Sequence, residues 1–168
     1  MTEGQQPAGQ ETPRLVHVDE TGAARMVDVT AKDVTIRTAT AAGVLRLSPQ
    51  ASALLAAGAL PKGDALAVAR IAGILGAKRT PDLIPLAHPV ALHGVEVEVE
   101  VVEGAVQIRA TARTADRTGI EMEALTAVAV AGLTLHDMVK AVDPEATLTD
   151  VRLLEKTGGR RGDWHRRS

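Results

Sequence analysis

Between Val95 and Ala112 the sequence alternates residue by residue. Val95, Val97, Val99 and Val101 are separated by Glu96, Glu98 and Glu100, and Val106, Ile108, Ala110 and Ala112 by Gln107, Arg109 and Thr111. A period of two belongs to a strand with one face buried, so two strands are expected here. A two-residue turn at Glu103-Gly104 sets Val99 opposite Ile108 and Glu98 opposite Arg109. One face of the hairpin is then wholly apolar and the other pairs opposite charges. A slip of one residue would turn a row of glutamates into the core, so the register is strongly specified. A sheet with one oily face needs helices to cover it, and the rest of the chain supplies them.

Val34 to Leu47 mixes β-branched residues with Arg37 and Arg46 and reads as a strand. Ser48 is placed to cap a helix with Pro49 at its first position, running on through Ala51 to Ala59 until Gly58 and Pro61 stop it. A second helix is expected from about Gly63 to Ala77, with Leu66, Ile71, Ile74 and Leu75 forming most of its apolar face. Thr80 to Pro89, bounded by prolines, reads as a loop. Gly119 to Val142 is a long Ala- and Val-rich helix, apolar on most sides and therefore expected in the core, ended by Asp143-Pro144. Thr147 to Leu154 is a last strand. The order strand, helices, two strands, helix, strand is the split βαββαβ of a ferredoxin-like α+β sandwich, an antiparallel sheet packed on helices. Residues 1–13, rich in Gln, Gly and Pro, read as a disordered arm; residues 14–155 as one domain; residues 156–168 as a basic, glycine-containing tail.

With 168 residues the chain fits one core. The absence of Cys removes disulfides, thiolate metal sites and any Cys nucleophile. Trp164 is the single aromatic, so there is no platform on which single-stranded nucleic acid would stack, and a net charge of −2 supplies no field to hold a polyanionic helix. The tail carries five of the 19 basic residues against one acid, leaving the body acidic. The longest apolar run, Ala127 to Leu133, is far short of a membrane span, and the first 13 residues lack the basic and apolar regions of a signal peptide. A soluble, cytoplasmic protein without nucleic-acid or membrane partners is expected.

Four segments depart from what a plain core needs. Pro61-Lys62-Gly63-Asp64 is either a solvated turn with Asp64 in the first turn of a helix, or a holder for Lys62. Pro85-Leu86-Ala87-His88-Pro89 is stiffened by two prolines, which suits a loop that holds His88 for acid/base work or for an anion. His93 lies five residues on, but without Cys and with few carboxylates nearby the pair makes a poor zinc site. Glu121 and Glu123 open the long helix, where acids suit the dipole. That helix reads as buried, however, so their carboxylates need hydrogen-bond donors from protein or ligand. Asp137 and Lys140 stand three apart in the same helix's last turn, where the dipole favours the lysine and disfavours the aspartate. The alternative is an ordinary surface ion pair. In the tail, Lys156-Thr157-Gly158-Gly159-Arg160 sets paired glycines among cations, a pattern in which backbone N–H groups can approach a phosphate, though not in the order of a P-loop. Together these residues point to acid/base and phosphoryl chemistry on a small polyanion. A non-catalytic nucleotide- or metabolite-binding module would need the cations and glycines but not the Asp137–Lys140 pair.

At these motifs the chain resembles the cyclic pyranopterin monophosphate synthases, the molybdenum cofactor biosynthesis protein C family. The resemblance rests on Met26-Val27-Asp28-Val29, Lys62-Gly63-Asp64, Ala69 to Ile74, Ala77 to Thr80, Asp82 to Pro89, Gly119 to Ala127, His136 to Lys140 and Val151 to Gly159, in one consistent order. It implies a lyase converting 3′,8-cyclo-7,8-dihydro-GTP to cyclic pyranopterin monophosphate with release of pyrophosphate. By motif, Asp137 falls on the catalytic acid/base, and Lys62 and Lys140 on positions tied to activity. Leu86, Ala87, His88, Glu121, Met122, Glu123 and Lys156 fall on substrate-binding or activity-associated positions. No resident cofactor or metal is implied, with Mg²⁺ a possible companion of the triphosphate. The family's assembly, a homohexamer built as a trimer of dimers with the site at the dimer interface, is implied as well. Three departures stand out: Ala87 where Cys is frequent, His136 where an aromatic is common, and Arg160 for a frequent Lys, which keeps the charge and changes its geometry.

Overall fold

The structure, a computed structural model, describes residues 21–160 and 162–167; the expected arm over 1–13 lies outside them. In chain order the elements are β1 (Thr35–Arg46), α1 (Pro49–Ala56), α2 (Ala65–Lys78), α3 (Thr80–Leu83), β2 (Leu92–Val102), β3 (Ala105–Asp116), α4 (Glu121–Val139), β4 (Thr147–Thr157) and β5 (Trp164–His165). The strands form one sheet in the order β2-β3-β1-β4-β5, antiparallel throughout. The first four are arranged as the split βαββαβ order requires, and β5 adds a short edge strand.

The hairpin holds the register written in its alternation: Val99 faces Ile108 and Glu98 faces Arg109. Gly104 takes the left-handed conformation (φ 70°) that the tight turn demands. Val97, Val99, Val106, Ile108, Ala110 and Ala112 are buried, while Glu96, Glu98, Glu100 and Arg109 remain exposed on the open face. Against the apolar face lies α4, whose Ala124, Ala127, Val128, Ala131 and Leu135 are fully buried between the sheet and α2. Its 19 residues (mean hydropathy 1.3) are long and apolar enough to cross a bilayer, but 56% of that stretch is buried within the fold, as in a core helix. It ends earlier than expected, at Val139. The chain then turns so that the buried Asp143 carboxylate accepts the Ser48 N–H at 2.6 Å, tying the end of α4 to the start of α1.

The apolar face expected on α2 needs correction. Ala65, Ala69, Gly73, Gly76 and Ala77 are the buried positions, Leu66 and Ile74 pack only partly on the core, and Ile71 and Leu75 are 59% and 52% exposed. The reason is the closeness of α2 to α4. A Cβ at Gly73 would stand 3.0 Å from the Ala127 carbonyl oxygen, and one at Gly76 would stand 2.8 Å from the Val130 side chain. Small residues permit that approach, so they take the inside and the large ones are turned out. Asp64 is likewise not inside the first turn but is its N-cap, accepting the Ala67 N–H at 3.0 Å. The loop expected over Thr80 to Pro89 begins with the single turn of α3. Strand β4 runs past Leu154 to Thr157, so Lys156 and Thr157 belong to the sheet and not to a tail.

Candidate functional site

The two ends of α4 carry two separate clusters. At its C-terminal end the Asp137 carboxylate lies between two ammonium groups, with Lys62 Nζ 2.8 Å from Oδ2 and Lys140 Nζ 2.7 Å from Oδ1. Lys62 also donates to the Asp137 carbonyl oxygen at 2.7 Å, one of the carbonyls that a helix end leaves unpaired. Lys62 reaches this point because Asp64 caps α2 and Gly63 (φ 91°) turns the chain just before it. The Lys140 and Lys62 hydrogen bonds hold the Asp137 pKa down at about 2. The carboxyl is therefore ionised in the free protein at any ordinary pH. The pairing favours the folded state fully above the usual value of 3.8 and is lost only as pH falls through about 2. All three side chains are about half exposed, so water screens the pairs and their worth to stability is small.

At the N-terminal end of α4 a cleft of about 590 Å³ opens, lined by Leu86, Ala87, His88, Glu121, Met122, Glu123 and Lys156. Every candidate from the Pro-bounded loop, the helix mouth and the last strand meets there. His88 is fixed by its Nε2 lying 2.6 Å from the Val27 carbonyl oxygen. A carbonyl only accepts, so Nε2 carries the proton and, in the neutral ring, the lone pair sits on Nδ1. Lys156 pairs with Glu121 at 3.3 Å. Glu121 folds back over Gly119, its carboxylate occupying the space where a Cβ would stand. Glu123 is 3% exposed. Burial raises its pKa, the charge of Glu121 adds to the rise, and its own backbone amide opposes it.

Glu123 thus sets site against fold. Ionising it costs stability as pH climbs through the unfolded carboxylate value, because its folded pKa lies higher. Glu123→Gln should stabilise the protein by about 0.5–2 kcal/mol at pH 7. That gain should shrink below about pH 4, where the unfolded carboxyl also binds its proton. Urea denaturation at the two pH values measures it, and a variant less stable than the parent at pH 7 would show that the carboxylate has donors that the amide loses.

The same cleft collects Lys32, Arg37 and Arg117, to which the sequence assigned no functional role, together with Asp28 of the family motif and Arg160 beside the glycines. Arg37 Nε donates to the Asp116 carbonyl oxygen at 3.0 Å, and Arg117 Nε to that of Lys32 at 2.8 Å. The one signal of Arg37 was a guanidinium inside a strand made mostly of small and β-branched residues. Five Lys and Arg side chains against three carboxylates make the cleft suited to an anion with a hydrogen-bonding edge. Among the described residues no group of three or more His, Asp or Glu side chains converges as a metal site. A second hollow, about 570 Å³, lies on the open sheet face beside Glu98, Arg109 and Arg152 and includes none of the candidates.

The helix keeps the clusters apart. Fourteen residues separate Glu123 from Asp137, about 21 Å along the axis at 1.5 Å per residue. Gly132, between them, lies within an unbroken α4 and makes room for Leu148 of β4.

Residues 26–159 match the family model described as the MoaC family. The chain is 61% identical over 163 residues to the cyclic pyranopterin monophosphate synthase of Streptomyces avermitilis, covering 97% of this chain and 96% of that one. It is 63% identical over 153 residues to the protein of the same name from Streptomyces coelicolor, covering 91% and 90%. The match to cyclic pyranopterin monophosphate synthase 2 of Mycobacterium tuberculosis is also 63% over 153 residues, covering 91% and 92%.

Proposed function

This chain belongs to the MoaC family, and from that premise we propose that it is a lyase of molybdenum cofactor biosynthesis. It converts 3′,8-cyclo-7,8-dihydro-GTP to cyclic pyranopterin monophosphate and releases pyrophosphate. The observation that carries the reading within the molecule is the Asp137 carboxylate held between Lys62 and Lys140. A passive binding module would need the anion-binding cleft but not a carboxylate with an ammonium group on each oxygen.

The chemistry has two demands. Making the cyclic phosphate joins a substrate hydroxyl oxygen to the α-phosphorus, breaks the bond to the β-phosphate, and sends the hydroxyl proton to a base. Rebuilding the ring system moves further protons at several atoms. In this reading Lys62 and Lys140 carry protons, and Asp137, ionised in the free protein, holds both lysines in place and takes a proton within the complex. Lys156, Arg37 and Arg160 bind the triphosphate and offset charge on the departing pyrophosphate. Glu121 and Glu123 accept from the N–H edge of the pterin, and Leu86 to His88 close over it. Mg²⁺, if required, enters with the triphosphate as part of the substrate.

One compact substrate does not span 21 Å, so the reading also needs a second copy of the chain. The outer stripe of α4 bears Met122, Ala129, Leu133, Asp137 and Lys140, with Leu133 62% exposed. Two such helices laid antiparallel across a two-fold axis would set Asp137 of one copy near Glu123 of the other. The outward Val68, Ile71 and Leu75 on α2 supply a second apolar face, as a trimer of dimers would require. A cytoplasmic location agrees with a GTP-derived substrate. The test is direct: incubation of the pure protein with the cyclic dihydro-GTP substrate should release pyrophosphate and cyclic pyranopterin monophosphate in equal amounts. Tight binding without either product would favour the binding module.

A further inference from the structure

The paired glycines were expected to offer their N–H groups to a phosphate, but the structure gives one of them another partner. The Gly158 N–H donates to Asp163 Oδ1 at 2.9 Å, five residues on, and so points back into its own loop. Gly162 N–H donates to the Gly159 carbonyl oxygen at 3.1 Å, tightening the same turn. Beyond it the chain runs back along β4. Trp164 and His165 of β5 pair with Lys156 and Glu155, the Arg166 N–H donates to the Leu154 carbonyl oxygen at 2.7 Å, and Arg166 Nε donates to that of Leu153 at 2.8 Å. His165 Nδ1 lies 3.2 Å from the Glu155 carboxylate.

The glycines are small for a specific reason. Gly158 (φ 80°) lies so close to β1 that a Cβ would strike the Ile36 carbonyl oxygen, and a Cβ on Gly159 (φ 76°) would strike the Arg37 guanidinium. The loop is therefore seated on Arg37, which is itself tied to Asp116. Arg37, Lys156 and Arg160 all line the cleft.

We propose that the Gly158-Gly159 turn and the returning residues 162–167 act as a clasp. Asp163, held by the return strand β5, is a positioning residue that locks the Gly158-Gly159 turn over Arg37 and thereby sets Lys156, Arg37 and Arg160 to receive the polyphosphate. Asp163 itself touches no substrate; its carboxylate faces the Gly158 amide. This rests on the reading of the cleft as a polyphosphate site, and it extends that reading to a residue outside the cleft lining.

Asp163→Ala and Asp163→Asn separate the parts. The alanine variant loses the acceptor, whereas asparagine keeps a carbonyl oxygen at the same reach. In Asp163→Ala the Gly158 amide should exchange with deuterium about as fast as an open loop, and in Asp163→Asn it should stay protected. Binding of inorganic pyrophosphate by titration calorimetry should weaken about tenfold in the alanine variant. KM should rise by the same factor with kcat changed less than about twofold, as expected when ground-state positioning is lost. The asparagine variant should recover most of both. An unchanged Gly158 exchange rate in Asp163→Ala would overturn the clasp. Faster exchange with pyrophosphate affinity and KM unaltered would overturn its role in the site. The exchange measurement needs no turnover and the pyrophosphate titration no cyclic substrate, so a failure of the proposed reaction would be told apart from a failure of the clasp.

Discussion

Asp137→Asn should leave the melting curve native-like and lower turnover on the order of 10³-fold, the usual cost of losing a group that works in proton transfer. The fold is spared because Asp137 is half exposed and its two ion pairs are screened by water. Activity is not spared, because an amide removes the charge that holds two ammonium groups on opposite oxygens and leaves Lys62 and Lys140 to repel one another. Its pKa of about 2 adds a second expectation. The acid limb of the parent's kcat/KM–pH profile, which reports the free enzyme, should not show Asp137, since that carboxyl stays ionised until far below the range where other groups titrate. A variant with normal melting that keeps more than about a tenth of the parent rate would remove Asp137 from the reaction.

The second large effect is a recovery. Glu123→Ala and Asp137→Asn proteins should each be inactive as homo-oligomers. Unfolded together and refolded at equal amounts, half of the dimers should be mixed, and each mixed dimer should hold one intact site built from the two unmutated residues. Activity should return to about a quarter of the parent value. The expectation follows from the axial distance of about 21 Å between the two residues on one unbroken helix. If mass measurement finds mixed oligomers and no activity returns, the two residues serve one site within a chain or one of them serves none.

Local pattern was enough for the hairpin and not enough for α2, and the contrast has a physical cause. In β2 and β3 each side chain points to the opposite face from its neighbours, so alternation of Val and Glu states directly which face is dry, and Gly104 marks the turn. The hairpin's register followed from that, and the split βαββαβ order followed from the sequence of strands and helices along the chain. For α2, residue size gave the wrong face. Which side of a helix is buried depends on how near its partner comes, and Gly73 and Gly76 against Ala127 and Val130 allow an approach that excludes Ile71 and Leu75.

The site divides the same way. Lys62, His88, Glu121, Glu123, Asp137, Lys140 and Lys156 were singled out by their places in a turn, a Pro-bounded loop, the two ends of one helix and a glycine-containing tail, and by the family resemblance. The Asp137–Lys140 pair was legible as well, since three residues on a helix make neighbours. Lys62 joining that pair from 75 residues away, and Arg37 and Arg117 converging with Lys156 on one cleft, were decided only by tertiary structure. These contacts depend on which strand lies beside which and on how α2 returns along α4, and no local period encodes them. The sequence by itself determined the sheet's faces, its register and the kinds of chemistry available. Only the packed chain decided that this chemistry lies at two ends of one helix, because a side chain's neighbours across a fold are chosen by the shape of the backbone between them.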